Sequence, residues 1–171
     1  IKLGRHDGFK TLNVVRRKEA IDELMKLGGD AVISSSEGPI EEQVYKITGG
    51  QGVRYALDPV GGETATGVFR SLGEEGKLVL YGTLSGQPLQ VDPRLVISGK
   101  RVIEGFWLGH WMRQQSILKS LAHFREIKKL MREGILDPGP CQFFSLDQIG
   151  EAVKEAESVA RNGKVLLRIS S

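Results

Sequence analysis

Short apolar segments alternate with helical segments along most of this chain, and this alternation limits the folds that the chain can adopt. The apolar segments are continuous rather than alternately apolar and polar. Strands of that kind are buried on both faces, as in a parallel sheet covered by helices on its two sides. We therefore predict an α/β fold with a doubly wound parallel sheet. The candidate strands are Phe9–Val15, Ala31–Ile33, Val53–Leu57, Lys77–Tyr81 and Arg101–Leu108.

Helical periodicity fills most of the intervals between these strands. Pairs of glycines, Gly28-Gly29 and Gly49-Gly50, end the first two periodic segments. The opening residues Ile1–His6 have the character of the last turns of a helix, which Asp7-Gly8 closes. The remaining candidate helices are Lys18–Leu27, Ile40–Thr48 and Glu63–Leu72, with a helical turn over Leu95–Ser98.

The pattern of the sequence changes after the last of these strands. A long amphipathic helix is predicted over Ser116–Arg132, and Asp137-Pro138-Gly139-Pro140 then breaks the chain. A second helix over Asp147–Arg161 and a strand over Lys164–Ile169 follow. We expect this helix-strand tail, from Pro138 onward, to belong to a different structural unit from residues 1–137.

Composition excludes several kinds of site and partner. Cys141 is the only cysteine, which excludes an intramolecular disulfide and a multi-cysteine zinc site. His6, His110 and His123 fit no metal-ligand spacing, so we predict no metal site. A net charge of +3 gives no reason to expect nucleic acid as a partner. No apolar run approaches about 18 residues, so no membrane-spanning helix is expected.

Motifs for nucleophilic catalysis and for phosphate-binding loops are weak. Ser85 lies in no Gly-x-Ser-x-Gly elbow, and Cys141 has no histidine near it in sequence. Gly49-Gly50-Gln51-Gly52 precedes a strand, whereas a dinucleotide-binding loop follows one and opens a helix. The segment Asp58–Gly62 does lie between a strand and a helix, but it lacks the Gly-x-Gly-x-x-Gly spacing. We interpret it as a strand-end turn near a ligand.

Three cations follow the first strand directly: Arg16, Arg17 and Lys18, which we call the basic tip. They could be three solvated side chains at a helix start. Cations oppose the helix dipole at that end, however, so the choice is locally unfavourable and favours a functional reason. Ligands of open α/β sheets bind at the carboxyl ends of the strands, and a cation after the second strand accommodates the 2′-phosphate of NADP. The basic tip therefore predicts a phosphate-binding site.

Several segments together resemble the medium-chain dehydrogenase/reductase superfamily, and within it the zinc-independent quinone oxidoreductase and trans-2-enoyl thioester reductase branch. The basic tip after Asn13-Val14-Val15, and Gly105–Leu108 followed by Trp111, resemble the enoyl reductases in particular. The other matching segments are Leu27–Ile33, Ala56–Gly62, Gly76–Gly82 and Gly163–Leu167.

The resemblance implies NADP as the cofactor and names its binding residues. The basic tip would surround the 2′-phosphate, and Lys164 would reach the cofactor from the tail. The residues implied on the nicotinamide side are Tyr81, Gly82, Thr83, Leu84, Phe106, Trp107 and Leu108.

The resemblance also implies that this chain is only part of such an enzyme. Residues 1–137 would be an incomplete dinucleotide-binding domain of Rossmann type, lacking its first strand and glycine loop, and residues 138–171 would rejoin a catalytic domain. In the strand order 3-2-1-4-5-6, the absent strand would lie between Thr11–Val15 and Val53–Leu57. The catalytic tyrosine would lie in the absent domain, so no catalytic residue is assigned. The strand 101–108 would be the sheet edge and would pair across a homodimer.

The predicted function is therefore NADPH-binding in a reductase that transfers hydride to an activated alkene such as a trans-2-enoyl thioester. A quinone oxidoreductase and a non-catalytic nucleotide-binding or structural module are the alternatives. We expect a cytoplasmic protein, with the mitochondrial matrix as the other possible compartment.

Overall fold

The computed structural model describes residues 1–137, 139–158 and 163–169. The chain divides into two compact units, Ile1–His123 and Phe124–Ser171. Our predicted division of the chain falls at Pro138, which lies outside the described residues. The division into a nucleotide-binding domain and a returning tail therefore stays a prediction.

The first unit alternates strands and helices in the predicted manner. Its strands are β1 Leu12–Val15, β2 Ala31–Ser34, β3 Val53–Asp58, β4 Leu72–Leu80 and β5 Val102–Gly105. Its helices are α1 Lys2–His6, α2 Ile21–Lys26, α3 Ile40–Ile47, α4 Gly62–Arg70, α5 Pro93–Gly99 and α6 Leu108–Gln114, and α7 Ile117–Arg132 begins in it. Short 3₁₀ turns cover Lys18–Ala20 and Ser35–Glu37.

All strand pairs of this unit are parallel, which confirms the predicted class of sheet. β1 pairs with β2, and β3, β4 and β5 pair in that order. β5 is therefore an edge strand, as predicted. Among the described residues no backbone ladder joins β1 to β3. The two sheets are thus separate at the position where the sequence analysis expects a strand to be absent.

One apolar core nevertheless serves both sheets. It is built by α3 and α4 against the strands, with Val44, Phe69 and Leu78 almost completely buried. Leu12 and Val14 of β1 pack against the same core from the first sheet. This core lies on one side of the strands. The residues of the core cluster are Ile33, Ile40, Val44, Val68, Phe69, Leu72 and Leu78.

The other side of β3 is open. Side chains alternate across a strand, so the neighbours of Ala56 point away from the core on which Ala56 packs. These neighbours, Tyr55 and Leu57, are 71% and 72% exposed. Large apolar side chains at such exposure are unusual for a strand that has only parallel neighbours. β3 therefore lacks a covering layer on this face in the part of the chain that the structure describes.

The prediction for the start of β4 is wrong. The sequence pattern places Leu72 at the end of the preceding helix, but Leu72 begins β4 and pairs with Val53. The register then shifts within β4, where Glu75 has a φ of 54°, and the next pair joins Tyr55 to Lys77. A buried leucine at the end of an amphipathic helix and one at the start of a strand give the same local pattern. Only the pairing with β3 distinguishes them.

The prediction of a strand over Arg101–Leu108 is also wrong at its carboxyl end. β5 ends at Gly105, and α6 begins at Leu108. The Trp107 carbonyl accepts hydrogen bonds from the amides of His110 and Trp111, each at 3.0 Å. An aromatic and apolar run favours a strand by propensity, and no capping side chain marks the helix start.

The second unit is a strand-helix-strand arrangement around two parallel strands. β6 Cys141–Ser145 pairs with β7 Lys164–Arg168, and α8 Ile149–Glu157 connects them. The sequence analysis missed β6, because this short segment follows a proline-rich break and has only β7 as a partner. A capping box formed by Ser145 and Gln148 precedes α8. The carboxyl end of the predicted helix Asp147–Arg161 extends into residues 159–162, outside the described residues.

The Arg101 side chain connects the start of β5 to the carboxyl end of α4 through hydrogen bonds. Its guanidinium donates to the Arg70 carbonyl at 2.9 Å and to the Tyr45 hydroxyl at 3.0 Å. The Tyr45 hydroxyl in turn donates to the Arg70 carbonyl at 2.9 Å. The last carbonyls of a helix have no partner within the helix, and a cation there complements the helix dipole. This network fixes the edge strand against the core helices.

We predict that Arg101→Met lowers the free energy of unfolding by about 1–3 kcal/mol, because it leaves half-buried carbonyl and hydroxyl groups without their charged donor. Urea unfolding of the complete protein encoded by the gene measures this. Arg94→Met is the matched control, since Arg94 is exposed and bonds only within its own helix start. The control should stay within about 0.5 kcal/mol. Equal effects of the two substitutions would contradict the structural role of Arg101.

Candidate functional site

The carboxyl ends of β3, β4 and β5 meet along one edge of the sheet. The Tyr81 amide donates to the Asp58 carbonyl at 3.0 Å, just past the end of β4. The Phe106 amide donates to the Leu80 carbonyl at 2.8 Å, just past the end of β5. These bonds extend both ladders by one step into the loops. The predicted nicotinamide-side residues after β4 and after β5 are therefore brought together, as adjacent backbone segments.

A buried aspartate shapes the turn that follows β3. Asp58 is 2% exposed, and its Oδ1 accepts hydrogen bonds from the amides of Val60 and Gly61 at 2.9 and 2.7 Å. Gly61 and Gly62 have φ values of 76° and 57°, in the left-handed region that glycine tolerates best. The segment Asp58–Gly62 is thus a fixed strand-to-helix turn, as the sequence analysis predicted.

The loop after β4 is fastened to this turn by backbone hydrogen bonds. The Ser85 amide donates to the Val60 carbonyl at 2.8 Å, and the Gly62 amide donates to the Gln87 carbonyl at 3.1 Å. Gly82 lies against Pro59 so closely that a Cβ atom at position 82 would be 2.5 Å from the Pro59 carbonyl oxygen. The two loops therefore form one structure, and small residues are required where they touch.

Apolar side chains project from this edge into solvent. Tyr81, Leu84 and Trp107 are 53%, 81% and 73% exposed. The Arg113 guanidinium lies 5.8 Å from the Trp107 ring centroid. Exposed apolar groups that cluster at the carboxyl ends of parallel strands mark the place where α/β sheets bind ligands. We name these exposed residues and the backbone beneath them, residues 81–84 and 106–108, the nicotinamide edge, after the role that the sequence resemblance implies for them.

A second region of interest lies at the ends of β1 and β2. The buried Ser34 hydroxyl donates to the Arg16 carbonyl at 3.3 Å and so joins the two strand ends. Lys18 Nζ lies 2.7 Å from Glu37 Oε1, and this ion pair also joins the residues that follow β1 to those that follow β2. The side chains of Arg16 and Arg17 are exposed and make no ion pair or side-chain hydrogen bond to any described residue. The basic tip therefore offers two uncommitted guanidinium groups to an anion.

The predicted site residues fall into three places. The basic tip belongs to the β1–β2 sheet, and the nicotinamide edge belongs to the β3–β4–β5 sheet. Both are in the first unit. Lys164 is exposed at the start of β7, in the second unit, so its predicted approach to a cofactor stays a prediction.

The sequence analysis missed Glu37. No sequence pattern marks it, since its contact with Lys18 depends on the pairing of β1 with β2. Asp58 was noted only as part of a turn, and its buried carboxylate is what holds that turn. An Asp-Pro step directly after a strand was the signal available for it.

The described residues form neither a metal-binding cluster nor a membrane-spanning helix. In residues 1–137, 139–158 and 163–169, no three of the His, Cys, Asp and Glu side chains are grouped so as to hold a metal ion. No helix in those ranges is long and apolar enough to cross a membrane.

Comparison with known proteins places this arrangement in a family. The sequence profile of the zinc-binding dehydrogenases matches residues 1–124, which include both the basic tip and the nicotinamide edge. The chain belongs to the zinc-binding dehydrogenase family. This confirms the superfamily that the motifs indicated.

The curated relatives of this chain include two mitochondrial enoyl-acyl-carrier-protein reductases. That of Dictyostelium discoideum is 32% identical over 139 residues, which cover 78% of this chain and 39% of that protein. That of Xenopus tropicalis is 28% identical over 98% of this chain and 50% of that protein. The chain thus spans half or less of the length of these relatives.

A solved structure of the same fold confirms the architecture. It is the crystal structure of a Bacillus thuringiensis protein assigned as an NADPH:quinone reductase. The two share 28% sequence identity and superpose with a TM-score of 0.88 over 99% of this chain and 51% of the other. The Rossmann-like α/β class predicted for this chain is therefore confirmed.

We predict that Gly82→Ala separates the two fastened loops and destabilises the protein by about 1–3 kcal/mol, because the added methyl group would overlap the Pro59 carbonyl. Amide hydrogen exchange at Tyr81 and Leu84 should accelerate, since both amides bond to the turn after β3. Urea unfolding and hydrogen exchange measure the two effects.

Gly105→Ala is the matched control for this substitution. A Cβ atom at position 105 would meet nothing within 4 Å. Unchanged exchange rates in Gly82→Ala, or an equal loss of stability in Gly105→Ala, would contradict the close packing of the two loops.

Proposed function

We propose that this chain is the NADP-binding part of a reductase that transfers hydride to an activated alkene such as a trans-2-enoyl thioester. The observation that carries this proposal is the pair of uncommitted guanidinium groups, Arg16 and Arg17, at the carboxyl end of β1. The names of the Dictyostelium and Xenopus relatives support the substrate class.

The basic tip fits the 2′-phosphate of NADP in charge and in position. A guanidinium group presents its donors in a planar fork that matches two phosphate oxygens. The position after the second strand of a Rossmann-type sheet is where the adenosine ribose of a dinucleotide lies. The acid that would bind a ribose 2′-hydroxyl in NAD enzymes is absent from that position, since Glu19 is the first acid after β1.

The nicotinamide edge would hold the other end of the coenzyme. Residues 81–84 and 106–108 would supply backbone groups and apolar surface, and Lys164 would add a contact from the tail. When bound, NADPH supplies the hydride, and the chain contributes binding and orientation. The fastened loops after β3 and β4 would keep the nicotinamide ring in one position. Exposed apolar groups such as Trp107 would be covered by coenzyme and substrate, which would exclude water.

The proton that balances hydride transfer is proposed to come from outside this chain. We assign no catalytic residue to the described residues, and we propose that zinc takes no part. Residues 138–171 would rejoin the domain that carries the proton donor. Accordingly, this chain by itself is expected to show no turnover. The relatives named as mitochondrial favour the mitochondrial matrix over the cytoplasm as the compartment.

A quinone is the second candidate substrate. The Bacillus thuringiensis protein assigned as an NADPH:quinone reductase superposes on 99% of this chain, and this favours the alternative. Both kinds of reductase would bind the coenzyme at the same nicotinamide edge. A non-catalytic nucleotide-binding module would retain coenzyme binding without either activity.

We further propose a homodimer formed through the outer edge of β5. β5 has a strand neighbour, β4, on one side only among the described residues. Unpaired edge strands tend to acquire a partner. A second copy would extend the sheet across the two-fold axis.

The coenzyme proposal predicts that the complete protein binds NADPH at least about tenfold more tightly than NADH, because charge-assisted hydrogen bonds to a phosphate are worth about 1.5–3 kcal/mol. Isothermal titration calorimetry with both coenzymes measures this ratio. Equal affinities would defeat the assignment of the basic tip.

Turnover assays then separate the substrate classes. NADPH oxidation with a trans-2-enoyl thioester should exceed that with a quinone. The reverse order would select the quinone alternative, and tight NADPH binding without oxidation of either would select the non-catalytic module.

The dimer proposal predicts which amides of β5 are protected from hydrogen exchange. The Phe106 amide donates to β4. Successive amides alternate in direction along a strand, so the Glu104 amide also points toward β4, whereas the amides of Ile103 and Gly105 point outward. In a strand-paired dimer, Ile103 and Gly105 should exchange slowly at high protein concentration and faster after dilution. Glu104 is the internal control, since its amide is bonded in both states. Fast exchange at Ile103 and Gly105 in a species of dimeric mass would place the interface elsewhere.

A further inference from the structure

The three cations of the basic tip are not equivalent. The ammonium group of Lys18 is 2.7 Å from a carboxylate oxygen of Glu37, whereas Arg16 and Arg17 have no described side-chain partner. Glu37 lies in the 3₁₀ turn that follows β2, so the ion pair joins the ends of the two strands of the first sheet. It lies beside the hydrogen bond from Ser34 to the Arg16 carbonyl, which makes the same connection through the backbone.

The ion pair changes the charge that the tip presents. The hydrogen bond from Lys18 to Glu37, and then the negative charge of Glu37, raise the pKa of Lys18 above its ordinary value. The ammonium group therefore stays protonated and is paired with a carboxylate. An incoming phosphate meets two free positive charges rather than three. Both belong to arginine, whose planar donors suit a phosphate better than a point charge does.

We propose that Glu37 is a positioning and specificity residue, which holds Lys18 as a tie between β1 and β2 and leaves the 2′-phosphate of NADP to Arg16 and Arg17. This inference rests on the proposed NADP function. Glu37 also places a carboxylate close to the phosphate site, so it moderates the affinity for NADP. The pair is exposed, with 71% of the Lys18 and 38% of the Glu37 side chain accessible, so it contributes little to stability. Its effect should be seen in binding.

The test measures dissociation constants of NADPH and NADH in the complete protein and in four single variants. Arg16→Gln and Arg17→Gln should each weaken NADPH binding about tenfold or more. Lys18→Gln should weaken it less than either arginine substitution does, because the Lys18 ammonium bonds to Glu37 and not to the phosphate. Glu37→Gln should tighten it several-fold, because it frees the ammonium group and removes a carboxylate. NADH binding should stay within about twofold in all four, which also shows that each variant is folded.

A double variant tests whether Glu37 acts through Lys18. In the Lys18→Gln background, the gain from Glu37→Gln should become smaller, because only the removal of the carboxylate then contributes, and a purely structural role would not produce this coupling. In the unsubstituted protein, saturation with adenosine 2′,5′-bisphosphate should shift the side-chain nuclear magnetic resonance signals of Arg16 and Arg17. The Lys18 Cε signal should stay in place.

Three results would overturn the division of roles. Lys18→Gln could weaken NADPH binding as much as Arg16→Gln does, which would make Lys18 a phosphate ligand. Glu37→Gln could weaken both coenzymes equally, which would make Glu37 a structural residue only. The Lys18 signal could move together with the arginine signals. Failure of the underlying function has a different signature, namely equal affinities for NADPH and NADH in the unsubstituted protein.

Discussion

The first unit depends on a shared apolar core, because its two sheets are not hydrogen-bonded to each other. No ladder joins β1 to β3 among the described residues. Side chains such as Val44 and Phe69 therefore hold the β1–β2 pair and the β3–β4–β5 sheet against α3 and α4. Burial of this kind is non-directional and proportional to area. It can keep two sheets together, but it leaves the backbone edges and the outer face of β3 without partners.

The candidate site is divided in the same way as the sheets. The basic tip is carried by β1, and the nicotinamide edge is carried by β4 and β5. Each half is locally rigid, through the bond from Ser34 to the Arg16 carbonyl in one and the loops fastened by Asp58 in the other. An extended dinucleotide with its phosphate at one half and its nicotinamide at the other would join the two halves. Coenzyme binding and the integrity of the sheet are therefore expected to depend on each other.

Sequence reasoning succeeded where a local pattern and the tertiary structure demand the same residues. Continuous apolar runs identified the parallel strands of the first unit, and the pair Gly49-Gly50 located the carboxyl end of α3. It failed where two structures share one local pattern. Leu72 suits the end of a helix and the start of a strand equally well, and residues 106–108 suit a strand by propensity although the chain turns into α6. The strand β6 was missed because its only partner, β7, is distant in sequence.

The amino-acid sequence by itself determined the class of fold, the family and the three cations at the end of β1, because each can be recognised from short contiguous segments of the chain. Only the tertiary structure decided which of those cations pairs with a carboxylate and which remain available to an anion. The pairing of β1 with β2 brings Glu37 within 2.7 Å of Lys18 and leaves both arginines uncommitted. Likewise, the carboxylate of Asp58 became a structural element only when burial gave it two backbone amides as partners. Contacts between residues that are far apart in sequence depend on strand register, which no local pattern encodes.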